Sequence, residues 1–162
     1  MLFFVIGTSS QVSAQNEHAE VISQTLNSYQ KALLSKDYNT ASGMVHPRIV
    51  EMAGGTELYQ KIMKEEFNQG GGKLVDFNTL DPSSIIMADD EMHCIVPQEV
   101  TMKFGETTFK GVEHLLAASI DKGNSWYFID LKTFDKESLK VFIPYFNDDL
   151  EIPANIPLEE VK

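Results

Sequence analysis

The sequence predicts an α+β domain in which helices come first and an antiparallel sheet follows. Apolar residues recur at helical spacing from Val21 to Phe67, Gly70-Gly71-Gly72 stops the last helix, and from Lys73 the apolar period changes to two. Three N-terminal helices packed on an antiparallel sheet is the arrangement this order predicts.

Each element has a local cause. Asn16 can cap a first helix to about Ser35, whose apolar face is Val21, Ile22, Thr25, Leu26, Tyr29, Ala32 and Leu33. Asp37 can cap a short second helix through Met44. Pro47 pushes His46 out of the α region, so His46 marks a boundary and Arg48 to Met52 reads as a turn. Gly54-Gly55 permits backbone angles that other residues avoid, and Thr56 caps a third helix with Leu58, Tyr59, Ile62, Met63 and Phe67 on its core face.

Strands follow over residues 73–80, 84–88, 91–104, 107–121 and 125–134, with turns at Asp81-Pro82-Ser83, Asp89-Asp90, Gly105-Glu106 and Asp121 to Asn124. Short loops predict a consecutive meander. Pro97 predicts a bulge or an edge position in the long strand 91–104. Asp135 can cap a short helix through Val141. From Pro144 the chain is acidic, and Pro144, Pro153 and Pro157 make it extended. No internal repeat is present.

The 162 residues suit one domain, read as a leader over 1–14, a folded domain over 15–143 and an acidic tail over 144–162. A formal net charge of −11 argues against nucleic acid and against an anionic membrane surface, because both need Lys and Arg. Leu2 to Ile6 is a short apolar run, and Val12-Ser13-Ala14 fits the small-residue pattern before a leader cut at Gln15. The run is too short to span a bilayer, so export to the periplasm or beyond is expected. No Lys or Arg precedes it, which predicts a translation start upstream of Met1. Cys94 is the only cysteine, which leaves no internal disulfide or zinc cluster, and its apolar neighbours predict a buried, inert thiol.

The segment Tyr38 to Gly72 carries a His46-Pro47 boundary, the Gly54-Gly55 break and a helix ending in three glycines, before a chain of strands. That order resembles the helical half of the nuclear transport factor 2-like superfamily, which includes SnoaL-like cyclases and ketosteroid isomerase-like enzymes. The resemblance spans roughly residues 17–134. It implies a cone: helices on the concave side of a curved sheet, with a pocket at the open end. Enzymes of this family place an Asp or His base and a Tyr or Asp donor inside the cone. None of their catalytic residues aligns here, and the segment also looks like that of small exported bacterial proteins of this fold with no assigned activity.

The candidate site residues therefore come from position. Tyr29 could point its hydroxyl into the pocket or be a core tyrosine. His46 could be a general base or a loop brace, with Glu51 as its orienter or a solvated turn residue. Glu113 and His114 adjoin on a strand and face opposite sides, so only one faces the pocket. Asp130 shares a strand face with Trp126 and Phe128, where burial would raise its pKa; otherwise it binds backbone donors at a strand end. Met52, Met63, Met87, Met92 and Met102 suit a lipophilic ligand or fill core gaps. The four histidines lack metal-ligand spacing, and no phosphate loop or nucleophile elbow appears, so no metal or cofactor is expected.

Three functions follow as expectations. The first is a non-catalytic binding or accessory domain with a small apolar ligand. The second is an isomerase, dehydratase or cyclase using His46, Asp130 or Glu113 as base and Tyr29 as donor. The third is a homodimer formed through the convex sheet face, with the pocket vestigial.

Overall fold

The computed structural model describes residues 9–68, 71–132 and 134–161, with side chains from Glu17 onward. Four helices precede the sheet: α1 (Ser9–Leu34), α2 (Tyr38–Ser42), α3 (Pro47–Met52) and α4 (Thr56–Asn68). The strands are β1 (Lys73–Thr79), β2 (Ile86–Ala88), β3 (Glu91–Phe104), β4 (Thr107–Ser119), β5 (Tyr127–Asp130) and β6 (Ile156–Glu160), with α5 (Lys136–Phe142) before the last. The fold is α+β with a six-stranded antiparallel sheet. Among the described residues no helix is long and apolar enough to cross a membrane.

Several boundaries differ from the sequence reading for identifiable reasons. The first helix begins at Ser9 and not at Asn16, since no Gly or Pro interrupts it. Residues 1–8 of the expected leader lie outside the described residues. Residues 48–52, read as a turn, form the short helix α3, with Pro47 at its start and His46 as N-cap. Asp37 and Asp135 cap α2 and α5 as their positions predicted, each accepting from a backbone N–H three residues on.

The sheet is not a simple meander. The pair β3 and β4 forms its spine, in unbroken register from Met92↔Ser119 to Phe104↔Thr107. Gly105 closes this hairpin with a φ of 62°. Both β1 and β2 lie along the outer edge of β3, while β5 and β6 share the outer edge of β4. Pro97 therefore causes no bulge between β3 and β4. Its carbonyl accepts from Leu80 N at 2.9 Å, so its ring nitrogen also faces the outer edge, in the gap between β1 and β2.

The segment after Pro144 is part of this architecture. Its strand β6 approaches Gly111 so closely that a Cβ there would lie 2.7 Å from the Ile156 carbonyl oxygen.

Two cores flank the sheet. On one face α1, α2 and α4 bury Ile22, Leu26, Leu33, Ala41 and Met63 against Cys94, Val96, Leu115, Ala117, Trp126 and Phe128. On the other, Ile95, Leu116 and Ile129 pack against Leu139, Ile143, Phe146 and Leu150. The apolar part of that second face, expected as a dimer surface, is thus covered within the chain by α5 and the segment after it.

Candidate functional site

Strand register sets the first cluster. Gln98 pairs with Glu113, Val96 with Leu115, and Leu115 with Asp130. Opposed residues share a face, so Glu113 and Asp130 both face the helices, beside Leu115 and Phe128. Lys132 ties them together: its Nζ donates to Glu113 Oε1 at 3.1 Å and its backbone N–H to Asp130 Oδ1 at 2.8 Å. On the far side of Glu113, Gln30 Nε2 of α1 donates to Gln98 Oε1 at 3.0 Å and to Thr79 Oγ1 at 3.1 Å.

Immediately before Gln30, Tyr29 lays its ring 5.6 Å from that of Phe128. The residue is 8% exposed, and among the described residues its hydroxyl has no hydrogen-bond partner. The sealed unpartnered atoms are the Tyr38 hydroxyl, His46 Nε2, His93 Nδ1 and Trp126 Nε1. Tyr29 on α1 and the hydrogen-bonded Glu113, Asp130 and Lys132 on the sheet together define a candidate recess between the helices and the sheet.

Electrostatics define the rest of this recess. Burial, opposed by the backbone N–H of Lys132 and helped by the Glu113 and Glu66 charges, pushes Asp130 up to about 6. Asp130 nonetheless keeps broad solvent access, so its carboxyl is crowded but not enclosed. Burial raises Tyr29 strongly, with Tyr59, Asp130, Glu66 and Glu113 adding to the rise. Burial, then Glu66 and Asp130, push Tyr59 of α4 up to about 12. Glu113 foremost raises Lys132. Both tyrosines therefore remain O–H donors at neutral pH, beside a carboxyl that exchanges its proton near neutrality.

His46 belongs to a different cluster. It is 2% exposed, donates its backbone N–H to Phe128 O at 3.1 Å, and accepts from Arg48 N at Nδ1 over 3.3 Å. Glu91 and His93 of β3 lie within electrostatic reach of it. Across the sheet, His93 and Tyr127 both flank the small residue Ala118, and the His46 ring stands edge-on to Tyr127 at 6.4 Å. His93 is fully buried, stacks on Phe146 and bonds Glu91 Oε2 through Nε2 at 2.9 Å.

The partners fix the tautomers. A backbone donor on His46 Nδ1 places the proton on Nε2, and a carboxylate on His93 Nε2 places a proton on that nitrogen. Burial pushes His46 down to about 4, against the pull of Glu91. The hydrogen bond from His93 holds Glu91 below the usual carboxylate range. Glu51 lies exposed on α3 and is not the orienter of His46; the Arg48 backbone holds that role.

The structure thus joins Tyr29, Glu113 and Asp130 and separates His46 from them. His114 points away from the recess, where Nδ1 bonds Asn155 Oδ1 at 2.9 Å. Cys94 is buried, and burial pushes its thiol up to about 12. Met63 is buried in the core, whereas Met52 and Met87 are exposed. Among the described residues no three His, Cys, Asp or Glu side chains are placed to hold a metal ion. An open groove lined by the exposed Lys61, Lys64, Glu65 and Asn68 lies on α4 and contains none of the recess residues.

The sequence reading missed Lys132, Tyr59, Glu66, His93 and Glu91. Lys132 was within reach, since it stands two residues beyond Asp130 in the segment read as a strand over 125–134, although β5 itself ends at Asp130. Comparison with protein-family models, curated proteins and solved structures finds no match.

Proposed function

We propose that the recess around Tyr29 and Asp130 is a small-molecule site and that the chain acts as an exported binding domain of the nuclear transport factor 2-like kind. The carrying observation is the hydrogen-bonded cluster of Glu113, Lys132 and Asp130 on the helix-facing side of the sheet, with the buried Tyr29 packed on Phe128 at its base. The floor at Phe128 and Leu115 is apolar and the rim at Glu113, Asp130 and Lys132 is polar. That combination suits a small molecule with a hydrogen-bonding group.

A second reading is an acid–base enzyme of the isomerase, dehydratase or cyclase type. Asp130 favours it, because a carboxyl at about 6 both takes and gives a proton near neutral pH. Tyr29 would then stabilise developing negative charge as a donor.

Ligand-observed and protein-observed NMR against a fragment collection tests the site. Saturable shifts confined to Tyr29, Tyr59, Asp130 and Lys132, weakened in Tyr29→Phe and Asp130→Asn, are expected. Shifts elsewhere, or undiminished binding by both variants, would overturn the reading. Export is tested separately, by sequencing the N-terminus of the protein from a periplasmic fraction: a start at Gln15 supports it and a retained Met1 refutes it.

A further inference from the structure

Residues 44–46 run beside β5 on the edge that β4 leaves open. Val45 bridges Phe128 in parallel. Phe128 N–H donates to Met44 O at 2.8 Å, and His46 N–H donates to Phe128 O at 3.1 Å. These bonds satisfy both backbone groups of Phe128. Uncovered, the same edge would offer a donor and an acceptor to any extended chain.

His46 anchors this cover. Val45 enters the core beneath the helices, and His46, next along, turns to the other face and stands 6.4 Å from the Tyr127 ring. Its Nδ1 accepts the Arg48 N–H over 3.3 Å, and its carbonyl accepts from Ile49 N at 2.9 Å, so one residue joins the cover to α3. It is 2% exposed, and its Nε2 is sealed with no hydrogen-bond partner among the described residues.

That geometry has no room for a second ring proton. The proton would sit on Nδ1, where a backbone N–H already points in, so two donors would face each other. On the opposite side Nε2–H has no acceptor to share the added charge. The groups that face His46 do not rescue it. Glu91 of β3 favours a charge there, but its Oε2 is held by His93 Nε2 at 2.9 Å. His93 of β3 and Arg48 of α3 oppose a charge, and Tyr127 of β5 contributes an aromatic ring.

We propose that His46 is an acid-released latch: protonation of its ring frees residues 44–48 from β5 and bares the β5 edge, while the β3–β4 spine stays folded. The charged ring is stable only in the released segment, where water solvates it. Release therefore takes up one proton. In place, burial holds His46 at about 4, below its ordinary 6.5, so release is favoured progressively as pH falls from 6.5 through 4. One proton per release makes the effect about tenfold per pH unit across that window.

Amide hydrogen exchange of the full chain from pH 7 to pH 4.5, read as protection factors, tests the latch. The amides of His46, Arg48 and Phe128 should lose about tenfold in protection per pH unit below 6.5, while those of β3 and β4 keep theirs. His46→Asn retains a capping acceptor and removes the titration, so its Phe128 protection should be flat over the same range. Imidazole 15N shifts of the wild type add a readout that needs no variant: at pH 7 His46 Nδ1 should report an acceptor and Nε2 a protonated nitrogen.

Phe128 protection that does not change with pH in the wild type would overturn the latch. So would a loss shared equally by β3 and β4, which is global unfolding, or the same loss in His46→Asn. A protonated Nδ1 at pH 7 would overturn it as well, because the Arg48 bond could not then exist.

Discussion

The Asp130 recess and the His46–His93 cluster show one physical cause with two outcomes. Desolvation raises the acid and lowers the base, each in favour of its neutral form. The difference lies in access and partners. Asp130 keeps solvent access. His46 is sealed, and its capping bond to Arg48 and its burial make it part of the joint between α3 and the sheet. A perturbed pKa therefore marks a candidate site only where a ligand can arrive, a condition the exposed Asp130 meets and the sealed histidine pair does not.

Removing each group should break the symmetry most visibly. His46→Ala deletes the cap of α3 and leaves a hole beside Tyr127, and should cost about 3 kcal/mol in urea denaturation at pH 7. Asp130→Asn removes a charge that its surroundings disfavour, and should leave stability at pH 7 unchanged or raise it. Similar losses for the two variants would end the distinction between a structural histidine and a functional aspartate.

The pH dependence of stability sharpens the same contrast, because the signs oppose. His46 has a folded pKa of about 4, below the ordinary value of 6.5. The unfolded chain therefore binds more protons than the native one between these values, and stability falls as pH drops from 6.5 through 4. Asp130 is raised from 3.8 to about 6, so the native state binds more protons there, and stability falls as pH rises from 3.8 through 6. Between pH 4 and 6 the two partly cancel in the wild type. Asp130→Asn should unmask the histidine slope, with the urea midpoint rising more steeply with pH. A slope unchanged by the substitution would place the Asp130 pKa near its ordinary value.

Glu113→Gln is a gentler probe of the recess. It removes a like charge from Asp130 and frees Lys132 to face it. The Asp130 pKa, followed by carboxyl 13C shifts, should fall by up to about one pH unit. No change would mean that the two carboxyls do not share one recess.

What the sequence made legible divides along the same line. The strand Glu91 to Phe104, the caps Asp37 and Asp135, and the shared face of Trp126, Phe128 and Asp130 follow from local period and capping chemistry, and the structure holds them all. The choice between Glu113 and His114 could not be made from pattern. Both faces of β4 are covered, one by the N-terminal helices and the other by α5 and the tail, so alternation carries no sign. The pairing of β6 with β4 and the approach of His93 to His46 are non-local contacts, joining segments more than 40 residues apart that no short window contains. Lys132, whose two hydrogen bonds organise the recess, read as one more polar residue at a strand end.

Tyr29→Phe should have the smallest effect on stability and carries the most information about the recess. Within a closed core, losing a hydroxyl that made a hydrogen bond costs about 1 kcal/mol. The Tyr29 hydroxyl makes none among the described residues, and the ring stays packed on Phe128. Thermal and urea unfolding should therefore match the wild type within about 0.5 kcal/mol, or show slight stabilisation from relief of an unpartnered polar group. A loss above about 1 kcal/mol would mean that the hydroxyl already has a partner inside the fold, such as an ordered water bridging to Asp130. The recess would then be as closed as the histidine cluster, and its perturbed carboxyl would belong to architecture. A neutral result leaves the hydroxyl free for a ligand, because a buried donor that the fold does not use is one that the fold alone cannot account for.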